Sequence, residues 1–133
     1  MLSTIQALGG LLCLITLEKP EYFPAQQAMP VDNPLTEEGV RLGRMLFYEK
    51  KLSQDGTISC ASCHQQEKGF SDGLQISPGV NGTKGTMNAM SLTNLHWQTR
   101  FFWNGRSQSL EEQAVIPIED PLEMNLSIEE AVQ

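Results

Sequence analysis

The chain has 133 residues, which is the size of one ordinary domain and excludes a large barrel or a long repeat array. Hydrophobic residues at 40% and charged residues at 19% fit a folded globular domain rather than a disordered one. The net charge of -7 argues against nucleic acid as the main partner, because phosphate binding requires a basic surface. No apolar run reaches the roughly 18 residues of a membrane span, so we do not expect an integral membrane protein.

The first 34 residues divide into an apolar and a proline-rich part. Residues 1–17 carry no charge and contain an apolar stretch of secretory length, which predicts a signal or leader segment. A basic n-region is missing, and Leu12 is too large for good lipoprotein processing at Cys13, so a different start or a buried helix stays open. Prolines predict a linker over 18–34, because they break helices at Pro20, Pro24, Pro30 and Pro34.

The predicted domain covers 35–133 and begins with a helix. From Thr36 the pattern is helical, with Val40, Gly43 and Phe47 on one face, and the helix is expected to end near Lys50. Gly43 lacks a side chain, so this face could admit a second backbone at close range.

Six glycines between Gly56 and Gly85 predict a middle region that is mostly loop around one short helical turn. Towards the end, Ser109 with Glu112 predicts a helix that ends before Pro117, and Ser127 with Glu130 begins another helix. The chain ends within that last helix, so we expect the domain to be truncated at its C-terminus.

The strongest chemical signal is Cys60-Ala61-Ser62-Cys63-His64. Two thiols one helical turn apart can form thioethers with the haem vinyl groups, while His64 binds the iron, which predicts covalent haem c. Structural zinc is an alternative, but it needs about two further ligands and only His96 and Cys13 remain. A thioredoxin-like redox pair is a weaker alternative, because no βαβ pattern surrounds the motif.

Haem would also order a loop-rich segment, because the porphyrin gives apolar side chains a face to pack on; the candidates are Phe47, Leu52, Phe70 and Leu74. The second axial position decides the function. A Met or His there gives an electron carrier, whereas an open position permits peroxide chemistry. The candidate sixth ligands are Met87, Met90, Met124 and His96.

Several blocks in order resemble the N-terminal part of bacterial di-haem cytochrome c peroxidases, over about residues 30–130. They are Leu42-Gly43-Arg44-Met45-Leu46-Phe47, Lys51-Leu52-Ser53, Ile58-Ser59 before the haem motif, Asn88-Ala89 with Ser91-Leu92, Phe101-Phe102-Trp103-Asn104-Gly105-Arg106, Leu110-Glu111-Glu112-Gln113-Ala114 and Pro121-Leu122-Glu123-Met124. Blocks spread over a hundred residues are more specific than the haem motif alone.

The resemblance implies an all-α, cytochrome c-like haem domain with long loops, the N-terminal half of a two-domain protein with one haem c in each domain. By motif, it makes His64 the proximal iron ligand, Trp103 an electron relay between haems and Asn88 a ligand of a candidate calcium ion. Glu123 is similar to the family's distal acid–base group, with Gln113 and Pro117 nearby. Glu123 could instead face solvent in the acidic C-terminal run, and Trp103 could be an ordinary core aromatic residue.

Three positions depart from the family pattern. Many members have a histidine in the loop before the Asn88 block, but residues 79–85 contain none. This resembles the branch of the methylamine dehydrogenase maturation enzyme, which oxidises a partner protein. Asn104 stands in place of the usual aspartate, and Met87 stands in place of a common arginine.

These observations predict a periplasmic peroxidase that reduces hydrogen peroxide to water. Its electrons would come from a small cytochrome or copper protein, through a second haem outside this chain, and a homodimer is a candidate assembly. Two alternatives stay open, a mono-haem electron-transfer cytochrome c and a di-haem oxidase that acts on a partner protein. The acidic C-terminal region could contact a basic donor or a second domain, although a solvated helix face is the default.

Overall fold

The computed structural model describes residues 14–25 and 28–133 of the chain. Most of the predicted leader, including Cys13, lies outside the described residues. The described part is mostly helix and loop. Its α-helices are α1 Glu37–Tyr48, α2 Cys60–Cys63, α3 Leu110–Glu119 and α4 Ile128–Ala131. Single turns of 3₁₀-helix lie at Lys50–Leu52, Gln66–Lys68, Val80–Gly82 and Leu95–Trp97.

Strand structure in the described residues is limited to isolated antiparallel bridges, which pair Leu14 with Thr36, Gln65 with Ser71, Pro78 with Lys84 and Phe101 with Ser107. The last three close short loops rather than build a sheet. No helix in residues 14–25 and 28–133 is long and apolar enough to cross a membrane.

Helix α1 confirms the prediction from the sequence. Thr36 is its N-cap, and the Thr36 hydroxyl accepts a hydrogen bond of 3.0 Å from the Gly39 amide. No residue of α1 is buried among the described residues. The described residues do not use the close approach that Gly43 could admit, because none of their atoms lies within 4 Å of a Cβ placed there.

The middle of the chain confirms the expected loop, although 3₁₀ turns accompany α2 where a single helical turn was expected. The buried apolar core of the described residues is small, with Val80, Phe101 and Met124 the fully buried apolar side chains. The loops instead surround a cavity, so a large part of the apolar side chains faces that space rather than one another.

Helix α3 begins as predicted but extends further. The Ser109 hydroxyl accepts from the Glu112 amide at 3.0 Å, as expected of an N-cap. The predicted end before Pro117 is wrong, because α3 runs to Glu119 with Pro117 inside it. Inside a helix, Pro117 lacks an amide donor, and its ring crowds the carbonyl of the residue four positions earlier. The Pro117 carbonyl still accepts from the Met124 amide at 3.1 Å, so the following turn packs back on the helix and stabilises its end.

Helix α4 confirms the predicted Ser127–Glu130 capping box, in which both reciprocal hydrogen bonds are present. The proline-rich segment contacts the helical region at two points. The Phe23 ring packs edge-on against Trp97 with centroids 5.0 Å apart, and the Asn33 amide donates to Glu111 at 3.1 Å. The boundaries of the segment at 18 and 34 stay a prediction.

Candidate functional site

A cavity of about 290 Å³ lies among α1, α2, α3 and the loops between them. All three predicted haem-binding residues line it, namely Cys60, Cys63 and His64. Most of the wall is apolar, and it includes Phe47, Ile58, Met90, Leu92 and Ala114. A largely apolar cavity with a few convergent polar groups is the usual form of a cofactor site.

The His64 ring is fixed by a backbone contact. Nδ1 lies 3.0 Å from the Phe70 carbonyl oxygen, which can only accept a hydrogen bond. Nδ1 therefore carries the proton, and in the neutral ring Nε2 keeps its lone pair. A histidine oriented in this way is prepared to bind a metal through Nε2.

The backbone that holds this carbonyl is unusual. Phe70 has φ of 59°, in the left-handed region that side chains other than glycine seldom adopt. Its amide donates to the Gln65 carbonyl at 2.8 Å, which closes the loop after α2. Phe70, in this strained conformation, thus orients the carbonyl that keeps the proton of the His64 ring on Nδ1.

The two thiols are partly buried and unpaired with each other. Burial raises the pKa of Cys60 and raises the pKa of Cys63 to about 11, with smaller contributions from the negative charges of Asp72 and Glu123. Reactive redox cysteines have lowered pKa values in electropositive surroundings, so these apolar surroundings do not favour a thioredoxin-like pair.

Glu123 lies in the turn after α3 and lines the same cavity. Its amide donates to the Asp120 carbonyl at 2.9 Å, and its carbonyl accepts from the Val80 amide at 2.8 Å. Burial is the main cause that raises the pKa of Glu123; the Asp120 charge adds to the rise, and the positive charge of Arg106 opposes it. Glu123 is therefore partly buried at the cavity, in contrast to exposed carboxylates such as Glu119.

Gln113 and Pro117 lie one helical turn apart on α3, and both line the cavity beside Glu123. Trp103 and Asn88 also meet there. The Trp103 indole donates to the Asn88 backbone carbonyl at 3.2 Å, although Trp103 is 63% exposed. All the predicted site residues are thus brought to one cavity, and their roles remain predictions.

Some expected residues lie elsewhere. Of the predicted haem-packing side chains, Phe47 lines the cavity, but Leu52, Phe70 and Leu74 are not among its lining residues. Met87, Met90 and Met124 all line it, whereas the candidate ligand His96 does not and packs beside Trp97 with ring centroids 5.5 Å apart.

Two lining residues had no role predicted from the sequence. Arg106 lies with its guanidinium 3.7 Å from the Phe102 ring centroid, and both residues line the cavity. Phe102 has φ of 63°. Both residues belong to the family-like block from Phe101 to Arg106, but only the fold shows that Arg106 of this block lines the cavity.

The donor set fits covalent haem c better than zinc. Two free thiols and an imidazole with an available Nε2 share one apolar cavity. In the part of the chain that the structure describes, no group of three or more His, Cys, Asp or Glu side chains could hold a metal ion. A four-ligand structural zinc site therefore has no support within residues 14–25 and 28–133.

Comparison with known proteins gives the same assignment. Residues 37–133 match the sequence model of the di-haem cytochrome c peroxidase family. The chain is 43% identical over 115 residues to methylamine utilization protein MauG of Methylorubrum extorquens, with 86% of this chain and 31% of that protein covered. It is 34% identical over 125 residues to cytochrome c peroxidase Ccp of Escherichia coli, with 86% and 27% covered.

A solved structure has a similar fold. A MauG-like protein associated with microbial copper homeostasis matches with a TM-score of 0.77 and 42% identity, over 86% of this chain and 33% of that one. The diheme peroxidase BthA of Burkholderia thailandensis matches with a TM-score of 0.61 and 29% identity, over 66% and 26%. The chain spans about a third of the length of these relatives. It belongs to the di-haem cytochrome c peroxidase family, a family of oxidoreductases.

Proposed function

We propose that the chain is the peroxide-reacting part of a haem c peroxidase, which reduces hydrogen peroxide to water. One observation carries this proposal. The partly buried carboxyl group of Glu123 lines the same cavity as the thiols of Cys60 and Cys63 and the imidazole of His64. A proton-transfer group and a haem-binding motif are the two requirements of such a site.

Cys60 and Cys63 would attach the haem and His64 would bind its iron, which supplies the electrons and the Lewis acid for O–O cleavage. The Phe70 carbonyl holds the His64 ring in one tautomer and one orientation. That contact also makes the ring a stronger electron donor, because it stabilises partial positive charge on Nδ1–H.

The proposed task of Glu123 is to move one proton. Hydrogen peroxide must lose a proton from one oxygen and receive one on the other, which then leaves as water. The carboxylate can accept the first proton and the resulting carboxylic acid can return it. A raised pKa improves this exchange, because the proton affinity of the carboxylate then lies closer to neutral conditions.

Gln113 would support the same step by orienting peroxide, and Pro117 would shape the wall beside it, since both lie on the α3 side of the cavity. Trp103 would carry electrons into the site. It lines the cavity and is 63% exposed, so one side chain joins the interior to the surface.

A calcium ligand role for Asn88 remains part of the proposal, with less support. The Asn88 backbone carbonyl accepts from the Trp103 indole, and the Asn88 side-chain oxygen could bind the cation. Calcium takes six to eight oxygen ligands.

The test is Glu123→Gln, compared with Glu119→Gln, in haem-loaded protein. Glu119 is an exposed carboxylate four residues earlier and does not line the cavity. We expect haem attachment in both variants and a loss of peroxide turnover of about 10²–10⁴-fold in the Glu123 variant alone. Equal turnover in the two variants would contradict the role of Glu123.

A second candidate function is oxidation of a partner protein. The 43% identity to methylamine utilization protein MauG favours it, and the exposed Trp103 offers an electron path to a docked protein. The two functions separate when peroxide is supplied without a donor cytochrome. Peroxidase turnover then stops, whereas a partner-oxidising enzyme modifies its partner, which mass spectrometry detects.

An electron-transfer cytochrome without enzymatic activity is the remaining alternative, with Met87, Met90 or Met124 as the sixth ligand. The ferric absorption spectrum distinguishes it, because a Met ligand gives low-spin iron and an open position gives high-spin iron. We further propose export to the periplasm, a second haem domain, a small cytochrome or copper protein as donor, and assembly as a homodimer. These proposals rest on the family alone.

A further inference from the structure

We propose that Arg106 binds a propionate group of the haem and thereby fixes one edge of the cofactor in the cavity. This inference rests on the proposed function, because it requires haem attached at Cys60 and Cys63. Arg106 is the only Lys or Arg among the described residues that line the cavity.

The charges around the cavity favour a cation at its wall, where Arg106 already acts on Glu123. Asp120 and Glu123 line the cavity and bring two carboxyl groups to its wall. Haem adds two propionates, which are carboxylates at neutral pH. Carboxylates in apolar surroundings are costly unless a cation or several hydrogen bonds compensate them. His64 is assigned to the iron, so its imidazole does not meet this need.

The geometry of Arg106 suits a planar carboxylate. Its guanidinium stacks on the Phe102 ring at 3.7 Å from the centroid, which restrains the plane of the group while the N–H donors at its edge stay available. No hydrogen bond from this side chain to another described residue is formed. A restrained guanidinium with free donors loses little entropy when it pairs bidentately with a carboxylate.

The backbone around Arg106 is also held in place. The Arg106 amide donates to the Asn104 side-chain oxygen at 3.3 Å, and the next residue, Ser107, is fully buried. The Phe101–Ser107 bridge closes this loop. Asn104 stands in place of the family's usual aspartate and is a neutral acceptor for the Arg106 amide. The Arg106 guanidinium therefore has no carboxylate partner at position 104 of its own loop.

The test uses haem-loaded protein exported by a host with cytochrome c maturation. The variants are Arg106→Gln, Arg106→Lys and, as a matched control, Arg100→Gln, which removes an equal charge outside the cavity lining. Resonance Raman difference spectra against the parent report the propionate bending mode, which shifts when a propionate loses a hydrogen-bond donor. Spectroelectrochemistry reports the reduction potential.

We expect Arg106→Gln to shift the bending mode and to lower the reduction potential, because a nearby positive charge favours the reduced haem. Arg106→Lys keeps the charge and should shift the mode while the potential stays close to the parent. Arg100→Gln should shift neither. If Arg106→Gln does not accumulate, Arg106→Lys carries the test through the vibrational mode.

An unchanged bending mode in both haem-loaded Arg106 variants would overturn this inference and leave the proposed function intact. A parent protein without haem at Cys60 and Cys63 would overturn the proposed function, and this inference with it. Haem content by the pyridine haemochrome assay separates these two failures.

Discussion

Gly79 gives the sharpest test of how the loop before Asn88 positions Glu123. A Cβ added at Gly79 would overlap the Leu122 carbonyl oxygen, and it would lie 2.5 Å from Thr83 Oγ1 and 2.8 Å from the Leu122 carbonyl carbon. Cβ atoms of folded proteins essentially never lie within 3.0 Å of such atoms. Gly79→Ala must therefore displace Thr83 Oγ1 by about 0.5 Å, the difference between 2.5 and 3.0 Å, and the overlapping Leu122 carbonyl by more than that.

The displacement reaches Glu123 directly. The Val80 amide donates to the Glu123 carbonyl at 2.8 Å, and Val80 is 1% exposed, so the two loops cannot separate without exposing core. Overpacking of this kind costs about 1–3 kcal/mol. Loss of the hydrogen bond adds about 1 kcal/mol. A catalytic group moved by a similar distance loses up to about 10²-fold in rate.

The assay compares Gly79→Ala with Gly85→Ala in the same loop. A Cβ at Gly85 meets nothing closer than the Met87 carbonyl at 3.9 Å, so we expect that variant to match the parent in urea unfolding. Urea unfolding and peroxide turnover of haem-loaded protein are measured for both. If Gly79→Ala keeps parental stability and turnover, the close approach of these two loops does not position Glu123.

Two further predictions concern stability. Burial raises the pKa of Glu123, so folding favours its protonated form; the resulting stability is present below the unfolded pKa, near 4.5, and is lost as pH rises through the folded value. Glu123→Gln should therefore raise the urea midpoint at pH 7 and leave it unchanged at about pH 4; a difference independent of pH would contradict this. Ser107 is fully buried, and its hydroxyl donates to the Ser109 carbonyl and lies 3.0 Å from Glu112 Oε2. Ser107→Ala should lower the free energy of unfolding by about 1–3 kcal/mol, against no change for Gln108→Ala, an exposed neighbour; equal unfolding curves would refute the role of that hydroxyl.

Features that depend on neighbouring residues could be predicted from the sequence alone. The caps at Ser109 and Ser127 were predicted correctly, because each hydroxyl accepts from an amide three residues along the chain. The haem motif could also be predicted from the sequence, since haem attachment requires the spacing that Cys60 and Cys63 have. The loop-rich middle followed from its glycines.

Features set by distant contacts were decided only by the tertiary structure. The continuation of α3 through Pro117 depends on a hydrogen bond from the Met124 amide. The two glycines also differ in their surroundings, since Gly43 has open space beside it. Gly79 instead lies against a turn more than forty residues away. The cavity lined by His64, Arg106 and Glu123 also depends on the fold, because these residues are far apart in the sequence. Local spacing fixes dihedral angles and caps, but the free energy of a buried charge or a close backbone contact depends on which distant groups the fold brings beside it.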